Sequence, residues 1–271
     1  MKKFKTLSYP YIVWMFILVV VPIIAMLVLS FCETEGMDFS TIKFSLNSFK
    51  EVLDPLYLTA FWNSLKIAAV STFFCFLIGY PVAYFISTSK IRHKMALIMV
   101  IILPMWSNML LRIVAWEKVF YPSSILNMFG ISLDLIGTEF AVIFGTITMY
   151  LPFMILPIFT VLEKIDKSLL EASSDLGVSK AKTFLKVVFP MSLKGVVSGT
   201  IMVFLPAATG FAICERLGGG KIIMIGNIIE SMFKRAFNYS MGSLLSIIVL
   251  AVIMGVMAIM SKVDESGETL L

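Results

Sequence analysis

Side chains able to do chemistry are sparse in this chain, and their placement argues against catalysis. The single histidine, His93, falls in a short basic turn with Lys90, Arg92 and Lys94, and no two carboxylates share an apolar run. Cys32, Cys75 and Cys214 form no CxxC and have no metal-ligand partners at a useful spacing, so they read as small buried hydrophobes. The one Gly-Lys pair, Gly220-Lys221, is followed by Ile222 where a phosphate loop needs Ser or Thr. A nucleotide-hydrolysing module needs on the order of 100 to 200 residues, which a chain this full of apolar runs cannot spare. Any ATP used must be hydrolysed by a partner.

The informative spacing lies in segment 163–194. Ser168-Leu169-Leu170-Glu171 has the form of a capping box, in which serine and glutamate close the free amides of a helix start. Gly177 suits the left-handed residue that ends such a helix, which predicts a rod of about eight residues, roughly 12 Å long. A second helix is expected from Ser179 to Pro190. Leu169, Leu170, Leu176, Val178, Phe184 and Leu185 alternate with Lys180, Lys182 and Lys186, giving an amphipathic helix-glycine-helix. Such a unit either lies on a bilayer surface or docks a cytoplasmic motor.

The elements that must position it are membrane spans. The 271 residues are 59% hydrophobic and 14% charged, against about 25% charge in soluble domains. That excludes a soluble enzyme, a secreted disulfide scaffold and a disordered chain. Six charge-free runs can cross about 30 Å of hydrocarbon: residues 11–31, 67–89, 95–111, 140–162, 195–214 and 237–261. Each must be helical to satisfy its own backbone. The third is the shortest and is expected to kink at Pro104, with Arg112 snorkelling at its end. The first, behind Lys2, Lys3 and Lys5, exceeds a signal-peptide core and reads as a retained span. The 119–133 stretch and Ile222–Ile229 read as external interfacial segments. With both termini cytoplasmic, 13 of the 22 Lys and Arg fall on the inside, at about twice the outside density. The net charge of +5 is spread through short segments, which suits lipid headgroups and not nucleic acid. One membrane domain, residues 1–271, is expected to fill the chain.

Glu171-Ala172-Ser173, three residues, Gly177, nine residues, then Val187-Val188-Phe189-Pro190 resembles the EAA loop of bacterial ABC importer permeases, whose pattern is EAA-x3-G-x9-I-x-L-P. The spacing agrees at every step; Ser173, Val187 and Phe189 depart in residue type only. Asp54-Pro55-Leu56-Tyr57, Gly79-Tyr80-Pro81, Leu103-Pro104-Met105-Trp106, Leu205-Pro206-Ala207 and Leu217-Gly218-Gly219 with Ile225-Gly226-Asn227 are similar to the polyamine branch of that family, over nearly the full length. Relatives moving iron, thiosulfate or phosphonates share parts of these motifs. The resemblance implies an all-α polytopic membrane protein with six transmembrane helices in the MetI-like type I importer permease fold, resident in the bacterial inner membrane. It implies a non-catalytic subunit with no cofactor of its own, ATP and Mg2+ being bound by a separate ATPase. Glu171, Ala172, Ser173, Gly177 and Pro190 would dock that ATPase. The remaining implied partners are a second homologous permease forming a heterodimer, an external or periplasmic substrate-binding protein, and spermidine or putrescine as cargo.

A polycation calls for carboxylates and aromatic faces. The pathway candidates are Trp106, Tyr150 and Glu215, with Asn108 as a neutral acceptor. Glu215 has a second reading as an interfacial carboxylate paired with Arg216, and Trp106 as a packing aromatic. Pro104, Pro152, Pro157 and Pro206 are either hinges or packing kinks. Gly195 and Gly199 have the spacing of close helix approach, toward a partner or a neighbouring span. A secondary transporter or channel, the rival class, would need ionisable residues inside the spans, and the six runs contain none.

Overall fold

The computed structural model describes residues 10–35, 38–89, 91–121, 130 and 134–268. Lys90 and most of the 119–133 segment lie outside the described residues. Among the described residues, five helices are long and apolar enough to cross a membrane: α1 (Pro10–Ser30), α3 (Pro55–Thr88), α6 (Glu139–Leu162), α8 (Lys180–Thr209) and the Tyr239–Met260 part of α11 (Tyr239–Glu268). A sixth crossing is made if the bent pair α4 (Lys94–Trp106) and α5 (Met109–Phe120) counts as one. Shorter elements are α2 (Asn47–Glu51), α7 (Lys167–Asp175), α9 (Ala212–Leu217) and α10 (Ile225–Lys234).

Three elements differ from the sequence expectation. The third run does not merely kink at Pro104: the chain turns through 84° between α4 and α5. Pro104 lies in a tight 3-10 turn, Leu103–Trp106, after which Ser107 is extended (ψ 152°). The Asn108 side-chain Oδ1 then accepts the Leu110 amide at 2.8 Å and starts a new helix. The second half, α5, carries Arg112, Glu117 and Lys118, so a crossing made by the bent pair contains ionisable residues that the charge-free run had excluded. Secondly, Pro190 does not separate two helices. Lys180–Thr209 is continuous, because a π turn over Phe184–Val188 widens the helix just ahead of the ring and relieves the clash proline makes with the preceding turn. Thirdly, that helix stops at Thr209, before the expected end at Cys214. Gly210 is extended (ψ 131°) and α9 begins anew at Ala212.

An antiparallel hairpin absent from the sequence reading follows α1: β1 (Cys32–Glu35) pairs with β2 (Asp38–Phe44), with Cys32 opposite Phe44. The ring of Phe31 stacks on Phe44 and tilts against Phe49, with centroids 6.4 and 5.0 Å apart.

The backbone groups into two compact units, Met1–Phe61 with Ile225–Met254, and Trp62–Met224 with Gly255–Leu271. In the first, Ala60, Ile225, Ile228, Met241 and Leu245 form a buried cluster. The hydroxyls of Ser48 and Ser240 meet at 2.8 Å, and Asn238 caps α11 by accepting the Met241 amide. None of the 18-residue apolar window of α1 is buried.

In the second unit the core runs along α6, from Val142 through Met154 to Phe159. Its tightest partner is α8. A methyl group built on Gly195 would sit 2.8 Å from the Pro157 carbonyl oxygen, and one on Gly199 2.8 Å from the Met154 sulfur. The two glycines therefore seat α8 against α6 of the same chain, which answers where that spacing points.

Candidate functional site

The segment between α6 and α8 is a rod, a glycine turn and the root of a spanning helix, and local chemistry explains each. The rod is nine residues long, and its N-cap lies two positions before the expected one. Asp166, not Ser168, is the N-cap: its Oδ1 accepts the Ser168 amide at 2.9 Å. That bond holds the exposed Asp166 carboxyl below the usual carboxylate range. The far end is a Schellman motif. Gly177 has φ +70°, its amide donates to the Ser174 carbonyl at 2.9 Å, and the Val178 amide donates to the Ser173 carbonyl at 3.1 Å. The expected role of Gly177 as the left-handed terminator holds in this geometry.

At 100° per residue, Leu169, Ala172 and Leu176 fall within one 60° stripe of the rod and its cap. All three are exposed, Leu176 at 82%. Half-buried Leu170 turns the other way and packs against the core. An apolar stripe kept at the surface of a short helix has the form of a docking face. Glu171 is exposed and lines a cavity of about 590 Å³ with Tyr84, Ser87, Lys94, Glu163 and Leu170. The ammonium of Lys94 donates to the Ser87 carbonyl at that rim. Half-buried Ser173 bonds to Thr183 through the two hydroxyls, at 2.7 Å. Pro190 is exposed, one residue into the α-helical part of α8 beyond the π turn.

The pathway candidates are dispersed. Trp106, 88% exposed, and Asn108 stand on either side of the α4–α5 bend. Tyr150 is buried on α6, and its hydroxyl lies 3.7 Å from where a methyl group on Gly210 would sit. Glu215 is exposed in the middle of α9 and does not follow a span directly. The expected pairing of Arg216 changes partner: its guanidinium reaches Glu117 of α5 at 3.7 Å. Glu117, with a side chain 14% exposed, was missed from sequence because its partner is 99 positions away. Thr183 and Asp166 were missed as well. Asp166 carried a signal, being an N-cap residue type directly before a helical run. Thr183 carried none. Among the cysteines, Cys214 is buried and its thiol is pushed up to about 11 by burial, as an inert side chain's would be.

Apolar helices crossing a membrane, α8 seated on α6, and a capped rod projecting between those two helices define the membrane half of a transporter. The chain belongs to the family of binding-protein-dependent transport system inner membrane components, which matches residues 1–264. It is a multi-pass inner-membrane permease subunit of an ABC importer, a class of subunit that is not itself catalytic. It is similar to the spermidine/putrescine transport system permease protein PotB of Escherichia coli, 34% identical over 253 residues, covering 90% of this chain and 91% of that one. The PotB of Haemophilus influenzae is also 34% identical, over 241 residues, 86% of this chain and 84% of that protein. Among solved structures, a chain of a bacterial ABC transporter involved in alginate import shares the fold with a TM-score of 0.77 at 15% identity, covering 97% and 95% of the two chains. A chain of the MetNI methionine ABC transporter gives 0.57 at 18% identity, covering 80% and 99%. The MetI-like permease fold expected from the EAA resemblance is the fold found.

Proposed function

We propose that this chain forms half of the passage of an ATP-driven importer for polyamines, spermidine and putrescine, and that α7 docks a separate ATPase. The observation that carries the cargo assignment is 34% identity to PotB along nine-tenths of the chain. The exposed Leu169, Ala172 and Leu176 stripe supports the docking assignment. Glu171, Ala172, Ser173, Gly177 and Pro190 shape that contact, either on its face or by fixing its ends. One chain offers one rod, so a two-ATP dimer engages this permease and a second, homologous one as a heterodimer. ATP and Mg2+ reside in the ATPase, and an external binding protein delivers the cargo. Both chain termini lie in the cytoplasm, which puts the rod there too. ATP can bias inward-open against outward-open states only through contacts that differ between them, and the rod is where that difference enters.

Trp106 and Asn108 are the pathway residues this reading favours, because a broken span exposes backbone and side chains only where it lines a cavity. The test is uptake of labelled spermidine and putrescine by cells with and without this chain. Uptake must fall in its absence and return with it. Unchanged polyamine uptake, with iron, thiosulfate or phosphonate uptake lost instead, refutes the cargo assignment and leaves the permease assignment standing.

A further inference from the structure

Ser173 occupies the position where the EAA pattern has its second alanine, and the structure gives its hydroxyl a partner. On the rod Ser173 lies between exposed Leu169 and half-buried Leu170, 40° from one and 60° from the other at 100° per residue. Its Oγ stands 2.7 Å from Thr183 Oγ1, ten residues on and across the Gly177 turn. Thr183 also donates to the Ser179 carbonyl at 3.3 Å. A hydroxyl has one proton, so with Thr183 donating to Ser179, Ser173 is the donor to Thr183 and each acceptor is used. Thr183 immediately precedes the π turn Phe184–Val188, the segment where α8 departs from regular helix ahead of Pro190. The rod is also joined to α8 by the backbone of Gly177, Val178 and Ser179, whose glycine is its most freely rotating element.

We propose that the Ser173–Thr183 hydroxyl pair is the positioning contact that fixes the angle between the rod and α8, so that displacement of the rod by the ATPase is delivered to that helix at the π turn. This rests on the docking role given to α7 above. Neither hydroxyl touches cargo. Without the pair the rod still folds, because its caps are Asp166 and Gly177, and still presents its apolar stripe. Its movement is then absorbed by rotation at Gly177.

The test uses the full chain co-expressed with its ATPase and second permease, reconstituted in proteoliposomes. ATP hydrolysis, cargo uptake and ATPase co-purification are read together. In Thr183→Val, which lies outside the docking residues, co-purification and hydrolysis are retained while uptake per ATP falls about two- to tenfold, the range set by one neutral hydrogen bond; Ser173→Ala shows the same fall in that ratio. The double variant is no worse than either single one, because both remove the same bond. Thr183→Ser, which keeps the hydroxyl, restores the ratio. An unchanged ratio in the single variants, or additive losses in the double, overturns the inference. So does loss of the ATPase from the variants alone, since the hydroxyls would then be docking contacts. A wild-type complex without ATPase removes the docking reading and this inference with it.

Discussion

Replacing Gly177 separates a backbone role from a contact role, because nothing lies within 4 Å of where its side chain would start. The penalty for alanine is therefore conformational only. Holding a non-glycine residue at φ +70° costs about 1–2 kcal/mol, which multiplies the population of opened rod ends about 5- to 30-fold. Asparagine tolerates this region better and costs less. Glutamine matches alanine, since side-chain length meets nothing. Proline costs more, because it cannot adopt this φ and removes the amide that donates to Ser174. Lys180 and Lys182 lie exposed just past the turn, so trypsin reads the opening directly when cleavage is slow relative to reclosing. The expected order of cleavage rates is glycine, asparagine, then alanine and glutamine together, then proline. Rates that rise with side-chain volume, or alanine indistinguishable from glycine, refute the argument that the left-handed backbone is what this position supplies.

Asp166→Ala is expected to fray the first turn of α7, seen as faster amide exchange at Ser168 and Leu169. The Asp166 carboxyl is depressed by the Ser168 amide, so the cap's contribution is complete above the ordinary carboxylate range and is lost as pH falls through the lowered value. Asp166→Asn keeps the cap and loses that pH dependence. Gly195→Leu should force α8 away from the Pro157 carbonyl and lower the thermal stability of the detergent-solubilised chain, an overpacking cost of about 1–3 kcal/mol. Gly255→Ala, where nothing is within 4 Å, is the control substitution, expected not to lower stability. Leu176→Glu should likewise leave stability unchanged, since Leu176 is 82% exposed, while abolishing ATPase co-purification; retention of the ATPase would rule out the apolar stripe as its seat.

Local chemistry was readable in the sequence and long-range pairing was not. The helix-glycine-helix of segment 163–194 is specified by residues a few positions apart, so its glycine terminator and second helix start at Ser179 fell where the spacing put them. Its first residue was misplaced because Ser168 and Asp166 are both good caps and Glu171 stands at box distance from the serine. The carboxylate two residues earlier wins, having taken the Ser168 amide itself. Pro104 announced a disturbance but not its size. The 84° turn also needs Ser107 extended and Asn108 free to cap, and neither follows from one proline. Counting charge-free runs found the spans yet truncated the helices, since α3 begins at Pro55 and α8 at Lys180, each carrying charged or polar residues at one end. The same rule hid Glu117, whose cation comes from α9.

The bare flank of α1 bears on how the molecule is made. Among the described residues, no position of the 18-residue apolar window of α1 is buried, and only Val20, Ile23, Met26 and Leu29 along it are partly covered. Its residence in lipid therefore rests mainly on its own apolar side chains. A generic leucine-alanine helix in its place would insert equally well, and any assembly defect that followed would report on recognition of its surface and not on insertion.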